Sequence, residues 1–317
     1  MSPVPDDTAP PRRDVWFDSG ADRCHAWLYL PAGASSAAPV PVIVMAHGLG
    51  AVKALRLSAY ADRFAAAGYA CLVFDYRYFG DSEGEPRELL SIRSQRHDWR
   101  AAVTFARTLP EVDPNKVVVW GTSFAGGHVV ATAARDSRIA AAIAQAPFLD
   151  GIASVRQLPV RETLALVASG AKDLLAHVRG REPVRIKAGA RPGEVGLMSS
   201  TEDMHSLLAL LAASGIDEAD YHNDVPARVA LTIPLARPGR AAGDVACPIL
   251  FCVADRDNLA PAEATVRLAS RAPRGEIERY DTGHFDIYLG EDFEAAITDQ
   301  LAFLARHVPV AKDSRVR

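Results

Sequence analysis

The stretch that decides the fold is residues 117–127, Val-Val-Val-Trp-Gly-Thr-Ser-Phe-Ala-Gly-Gly. An apolar run typical of a buried strand leads into a turn of small residues, and a helical pattern follows. Strand and helix approach closely around such a turn, so the residues two positions either side of Ser123 must be small. Gly121 and Ala125 meet that demand, although glycine is usual at both positions. The pattern predicts a nucleophile elbow, while a Gly-x-Ser-x-Ala match alone also fits an ordinary tight turn.

A serine nucleophile needs a base and an acid that orients the base, and in this layout the acid precedes the histidine in the chain. Two aspartates compete for the role of the acid, just after the apolar run 248–253, which reads as a late strand. Asp257 stands four residues before Pro261, which can start the next helix. We therefore predict Asp257 as the acid and keep Asp255 as the alternative.

The predicted base is His284, which follows a glycine after the next predicted strand. Catalytic residues of open α/β sheets collect at the carboxyl ends of the strands, which is where this position falls. The other histidines lie on predicted helices, in the N-terminal hairpin or in an insertion, and read as surface or structural residues. Among them, His222 is a weak candidate for a role in a pocket.

An oxyanion hole in this layout uses two backbone N–H groups. One should come from Phe124, directly after the nucleophile. The other should come from the His-Gly-Leu-Gly turn at residues 47–50, which follows the first long buried strand. Leu49 is the first choice and Gly50 the second, and a plain glycine-rich turn is the alternative interpretation.

Predicted strands and helices alternate on both sides of a long interruption. Residues 13–150 and 244–310 show short apolar runs separated by helical patterns, which indicates a mostly parallel α/β sheet. Residues 151–243 show no buried-strand signal, and their apolar patches have helical spacing. We therefore predict one α/β domain interrupted by a helical lid. Residues 1–12 are proline-rich and polar and are predicted to be disordered.

Composition excludes several classes of protein. The 317 residues carry 35 Lys and Arg against 39 Asp and Glu, and this formal net charge of −4 leaves no basic excess for nucleic acid. The spacing of the four cysteines and nine histidines matches no metal site, so no metal or cofactor is expected. No apolar signal core or run of 18 apolar residues occurs, so we expect a cytoplasmic protein that does not enter a membrane.

Taken together, these motifs resemble the α/β-hydrolase superfamily. The elements that carry the resemblance are His47-Gly48-Leu49-Gly50, the stretch Asp75-Tyr76-Arg77-Tyr78-Phe79-Gly80-Asp81-Ser82, Gly121-Thr122-Ser123-Phe124-Ala125-Gly126, Asp257-x-x-x-Pro261 and Gly283-His284. The resemblance implies an eight-stranded, mostly parallel sheet flanked by helices, with the insertion as a lid between the sixth strand and the acid-bearing seventh. Within the superfamily, the chain looks like the dienelactone hydrolases and X-prolyl-peptidase-like esterases. Tyr78 departs from the family pattern, which usually has glycine there.

The predicted activity is hydrolysis of an ester, thioester or related acyl bond of a small molecule through an acyl-enzyme. Alternatives are a biosynthetic reaction such as cyclisation, C–C cleavage or acyl transfer, a peptidase, and a non-catalytic binding module. A homodimer is possible. The lid leucines and valines either line an acyl pocket or, as we favour for most of them, pack on the core. They are Leu164, Leu166, Val167, Leu174, Leu175, Leu207, Leu208 and Leu211.

Overall fold

The structure, a computed structural model, describes residues 12–191, 193–199 and 201–311, the last range without the side chains of 201–203. Most of the segment predicted to be disordered, residues 1–11, lies outside this description, whereas Arg12 already belongs to the first strand. No helix among the described residues is long and apolar enough to cross a membrane.

An eight-stranded sheet forms the centre of the protein, in the order β1-β2-β4-β3-β5-β6-β10-β11. The pairs β1–β2 and β2–β4 are antiparallel and all other neighbours are parallel, which confirms the predicted fold class. The strands are β1 Arg12–Ser19, β2 Asp22–Tyr29, β3 Val40–Ala46, β4 Ala70–Phe74, β5 Val112–Thr122, β6 Ile139–Gln145, β10 Ile249–Ala254 and β11 Gly275–Tyr280.

Helices cover both faces of this sheet, so its central strands are apolar on both sides. In β3, Val42 and Val44 face one layer of helices, whereas Ile43 and Met45 face the other. The first layer contains α2 Ile92–Ala106, α3 Phe124–Ala133 and α7 Ala262–Ala269; the second contains α1 Leu57–Ala66 and α8 Gly290–His307. Burial on both faces explains why these strands appear in the sequence as unbroken apolar runs.

Residues 151–243 form a separate set of elements above the carboxyl ends of the strands. Their helices are α4 Gly151–Val155, α5 Val160–Val178 and α6 Thr201–Ala213, followed by the 3₁₀ segments Glu218–Asp220, Ala227–Leu231, Ile233–Leu235 and Pro238–Asp244. We call residues 151–243 the lid. The ion pair of Asp173 with Arg228, at 2.6 Å, links α5 to the first residues after the lid's last strand.

The predicted helical lid also contains a small sheet, for which its sequence shows no buried-strand signal. A three-stranded sheet, in the order β8-β7-β9, consists of β7 Arg185–Gly189, β8 Gly196–Met198 and β9 Asp224–Pro226. These strands have three to five residues and contain charged and glycine residues. Such short, polar segments lack the apolar run or alternation that signals a strand in a sequence.

Candidate active site

Ser123 occupies a sharp turn between β5 and α3. Its backbone has φ 56° and ψ −120°, a conformation that L-residues rarely adopt. A Cβ on Gly121 would lie 2.5 Å from the carbonyl oxygen of Ala125, so glycine is required where strand and helix approach. At the second position the usual glycine is replaced by Ala125, whose side chain is fully buried in the core. The turn therefore has the strained geometry of a nucleophile elbow.

The structure brings the three predicted catalytic side chains together. The Ser123 Oγ lies 2.9 Å from His284 Nε2, and His284 Nδ1 lies 2.6 Å from Asp257 Oδ2. When the Nδ1–H donates to the Asp257 side chain, Nε2 can accept the serine O–H, which is the tautomer that a general base needs. The His284 and Asp257 side chains are almost completely buried.

Asp257 is held in place by backbone groups of its own loop. Its Oδ1 accepts the N–H groups of Leu259 at 2.8 Å and Ala260 at 2.7 Å, which leaves Oδ2 for His284. Asp255, the alternative acid, pairs instead with Arg279 at 2.7 Å on the neighbouring strand. The geometry therefore favours Asp257 over Asp255.

The turn at residues 47–50 lies directly against the nucleophile. A Cβ on Gly48 would lie 2.9 Å from the Ser123 Cβ, so this turn can approach the serine only with glycine there. Leu49 and Phe124 line the same cavity as Ser123. As the first residue of α3, Phe124 has an N–H without a carbonyl partner in the preceding turn. Gly50, the second choice for the oxyanion hole, faces the lid, where a Cβ would meet Ala188 at 2.6 Å.

Comparison with known proteins assigns the family. A family model described as serine aminopeptidase, S33, matches residues 37–291. The chain belongs to this family of α/β-hydrolases. The finer resemblance to dienelactone hydrolases and X-prolyl peptidases finds no support among the relatives below.

Three relatives illustrate what this S33-family chain is similar to. It is 48% identical to the quorum-quenching protein AidA of Acinetobacter baumannii over 94% of this chain and 95% of that protein. It is 28% identical to the polyketide transferase GrgF of Penicillium sp. over 94% of this chain and 97% of that one. The crystal structure of GrgF superposes with a TM-score of 0.79, at 25% identity over 94% of this chain and 99% of that chain. The thiohydrolase AneE of Aspergillus aculeatus is 26% identical over 83% of this chain and 85% of that protein.

The cavity at Ser123 of this S33-family protein is narrow and mostly apolar. It has a volume of about 100 Å³ and lies between the core and the lid. Leu166, which is buried, and Val167, which is partly exposed, are the two predicted lid residues that line it, together with Met198 and Ile233. A smaller cavity of about 30 Å³ adjoins the serine from the other side and is lined by Leu207. The lid thus closes over the serine on two sides.

The expectation that most lid leucines pack on the core is wrong for part of α5. Leu207 and Leu211 are buried as expected. By contrast, Leu164, Leu174 and Leu175 are 65%, 47% and 48% exposed, because they lie on the outer face of α5. Their periodicity alone could not distinguish an inner from an outer face.

The sequence analysis also missed an ionic network beneath the 47–50 turn. Lys53 is completely buried, and its Nζ lies 2.6 Å from Asp75 Oδ2 and 2.6 Å from Asp81 Oδ2. Asp75 in turn accepts the backbone N–H of Lys53 at 2.6 Å. His47 packs nearby, and burial lowers its pKa, which keeps its ring neutral. One feature of the sequence could have indicated this network: Lys53 lies three residues after the turn, in a chain that contains few lysines.

The same lysine occupies the centre of a group of side chains that could otherwise bind a metal ion. Among the described residues, His25, Asp75 and Asp81 are the one group close enough together to hold a metal ion. The ammonium group of Lys53 already lies between the two carboxylates, so this cluster has its own cation.

Two tyrosines also contact the site. Tyr221 in the lid donates its hydroxyl to the carbonyl oxygen of Gly50 at 3.0 Å, and Tyr288 forms a short hydrogen bond with Thr122, next to the nucleophile. Burial raises the pKa of both tyrosines, so both hydroxyls stay protonated. His222, the weak pocket candidate, is exposed, whereas its neighbour Tyr221 makes the contact.

Proposed function

We propose that the protein hydrolyses an ester, thioester or related acyl bond of a small molecule, with Ser123 as the nucleophile. The observation that carries the proposal is the hydrogen-bonded chain from Ser123 through His284 to Asp257, at 2.9 and 2.6 Å, which opens into an apolar cavity. Membership of a hydrolase family supports an enzyme, and relatives named for acyl chemistry support this class of bond.

The proposed reaction has two halves. His284 accepts the Ser123 proton while Oγ attacks the acyl carbon, and the N–H groups of Leu49 and Phe124 stabilise the resulting oxyanion. His284 then protonates the leaving group as its bond to the acyl carbon breaks. In the second half, His284 activates a water molecule that releases the acid and restores the serine. Asp257 holds the imidazole in the required tautomer and stabilises its cation.

Transfer of the acyl group to an acceptor other than water is the second candidate. Two observations favour it: the similarity to polyketide transferases and the narrow apolar cavity, which limits access of water to Ser123. Competition between water and added alcohols or amines for the acyl-enzyme would measure the preference. A product ratio that exceeds the ratio of concentrations would favour transfer.

The principal test compares the wild type with Ser123→Ala and with Ser270→Ala, a matched change of an exposed serine. We expect a fluorophosphonate probe to label the wild type and Ser270→Ala but not Ser123→Ala. A series of p-nitrophenyl esters of increasing acyl length should show a loss of at least about 10³-fold in kcat/KM for Ser123→Ala. Equal rates for Ser123→Ala and the wild type would contradict the assignment of the nucleophile.

A further inference from the structure

A second cavity, larger than the catalytic one, lies on the far side of Phe124. It is an open groove of about 1220 Å³ between α2, the carboxyl-terminal end of α3 and the 3₁₀ segment Pro238–Asp244. Seven arginine side chains line the groove, and among its described lining residues Asp136 is the one acid. A chain whose formal net charge is −4 therefore concentrates positive charge in one place.

Most of these arginines have no acidic partner among the described residues. Arg237 pairs with Asp150 at 2.8 Å, and Arg138 approaches Asp136 at 3.5 Å. The remaining five have no carboxylate at ion-pair distance among the residues that the structure describes. These five are Arg93, Arg96, Arg100, Arg135 and Arg240.

The geometry of α2 and the electrostatics of the groove show that these charges act on one another. Arg93, Arg96 and Arg100 follow at spacings of three and four residues, which places them on one face of α2. Burial lowers the pKa of Arg96, and the positive charges of Arg135 and Arg100 lower it further. A bound anion would relieve this repulsion, and the guanidinium group is well suited to phosphate because it can donate two parallel hydrogen bonds.

The groove and the catalytic cavity share a thin wall. Phe124 and Phe148 line both, and their ring centroids are 5.0 Å apart. Phe124 directly follows Ser123 at the start of α3, and Arg135 lies just beyond the other end of that ten-residue helix, about 15 Å away. A ligand that reached from the arginines to the serine would need an anionic head, an extended arm and an acyl group, and its arm would have to displace one of the two rings, which are packed against each other.

The geometry points to a coenzyme A thioester as the ligand of this groove, with its phosphate groups on the arginines and its acyl group at Ser123. This inference rests on the proposed function, because it names the leaving group of that reaction. Ser123 Oγ would form an ester with the acyl group, the C–S bond would break, and His284 would protonate the departing thiolate. Water would then release the acid. The similarity to a thiohydrolase supports a thioester substrate.

Binding can be tested without catalysis. We expect Ser123→Ala to bind coenzyme A in isothermal titration calorimetry at least about 10-fold more tightly than pantetheine, which lacks the phosphates. The affinity should fall as salt is added, since charged contacts are screened. Adding Arg96→Gln and Arg100→Gln should weaken coenzyme A binding about 10-fold, whereas Arg267→Gln with Arg271→Gln, an equal change of charge on exposed arginines at and just after the end of α7, should not. Equal affinity for coenzyme A and pantetheine would overturn the inference.

Kinetics separate this inference from the proposed function. The ratio of kcat/KM for an acyl-coenzyme A to that for the same acyl N-acetylcysteamine thioester should exceed about 10 in the wild type. That ratio should fall about 10-fold in the Arg96→Gln, Arg100→Gln variant. Cleavage of both thioesters at equal rates, without binding of coenzyme A, would overturn the groove assignment and leave the proposed function intact. Tight binding of coenzyme A by Ser123→Ala, with neither thioesters nor p-nitrophenyl esters cleaved by the wild type, would keep the groove and overturn the proposed function.

Discussion

At the scale of single residues, the competition between two aspartates for one role can be decided by matched variants. Asp257→Asn should keep its backbone hydrogen bonds but favour the wrong histidine tautomer, so kcat should fall on the order of 10³–10⁴-fold. Asp255→Asn removes a partly exposed ion pair with Arg279 and should have little effect on kcat, since such pairs contribute little. Ester hydrolysis by the two purified variants provides the measurement. A larger loss in Asp255→Asn than in Asp257→Asn would reverse the assignment.

His128, behind the nucleophile, should make stability depend on pH. Burial lowers its pKa to about 3, and its Nε2 lies 2.9 Å from Gln95 Oε1. The unfolded chain binds a proton here below about pH 6.5, whereas the folded protein does not until about pH 3. The contribution of neutral His128 to the free energy of unfolding is therefore fully present above pH 6.5. It is lost as the pH falls, and about 2 kcal/mol is gone at pH 5.

Urea unfolding at pH 7 and pH 5 measures this contribution as a double difference, which removes the effect of all other titrating groups. The loss of unfolding free energy on acidification should be about 2 kcal/mol smaller in His128→Asn than in the wild type. His177→Asn, a change of an exposed histidine, should retain the dependence of the wild type. An equal loss in the wild type and His128→Asn would contradict a neutral buried His128.

At the scale of elements, the loop that follows β3 owes its position to Lys53. The lysine joins this loop to the loop after β4 through Asp75 and Asp81. Replacing it with Met would leave Asp75 buried without its cation, which costs about 3–5 kcal/mol of stability. We expect Lys53→Met to lower kcat with little change in KM, because a displaced turn at Leu49 would weaken binding of the transition state rather than the substrate.

A milder variant protects this prediction against simple unfolding. Asp81 is largely exposed and contacts the same ammonium group, so Asp81→Asn should fold and show a smaller loss of kcat in the same direction. Steady-state kinetics should be normalised to the concentration of active sites, titrated with a fluorophosphonate. An unchanged kcat per titrated site in both variants would mean that the network stabilises the fold without positioning the oxyanion hole.

The elements also show what the sequence could and could not reveal. The bounds of β3 and β4 agree with their apolar runs, because strands buried on both faces must be apolar throughout. The order of serine, acid and histidine led to three side chains that do meet in space. The contact of Tyr221 with Gly50 joins positions 171 residues apart, and nothing local encodes such a pairing.

Tyr78 illustrates a departure whose cause became visible only in three dimensions. Its φ of 76° lies in the left-handed region, which explains why glycine is usual at this position. Two backbone hydrogen bonds hold the strained residue. The N–H of Tyr78 donates to the carbonyl oxygen of Glu83, and the carbonyl oxygen of Tyr78 accepts the N–H of Glu88, both at 2.8 Å. The sequence alone shows that Tyr78 replaces the usual glycine. The hydrogen bonds of the surrounding loop show how the tyrosine is accommodated in this backbone conformation.

At the scale of the whole molecule, the outer face of α5 is an exposed apolar stripe. Its residues repeat at helical spacing and read nearly the same in both directions: Val160, Leu164, Ala168, Ala171, Leu175 and Val178. A two-fold axis between Ser169 and Gly170 would pair Leu164 with Leu175 of a second copy, and Ala168 with Ala171, whose small side chains allow close approach. The same axis would set Glu162 opposite His177, a polar pair at the edge of the stripe. We therefore expect a second copy of the chain to cover this face, with antiparallel α5 helices.

The size of the stripe sets the expected strength of this dimer. Half the surface of a 19-residue helix, about 28 Å long and about 10 Å across, is on the order of 450 Å². A stable interface buries about 800 Å² per partner, so α5 alone should give a weak dimer that dissociates on dilution. Sedimentation velocity should show a concentration-dependent dimer in the wild type and in Leu235→Glu, an exposed lid leucine outside α5, but a monomer in Leu164→Glu. Under oxidation, Val160→Cys mixed with Val178→Cys should cross-link, whereas Val178→Cys alone should not, because antiparallel helices keep its two copies at opposite ends. A monomeric wild type at all concentrations, or cross-linking of Val178→Cys with itself, would rule out this arrangement.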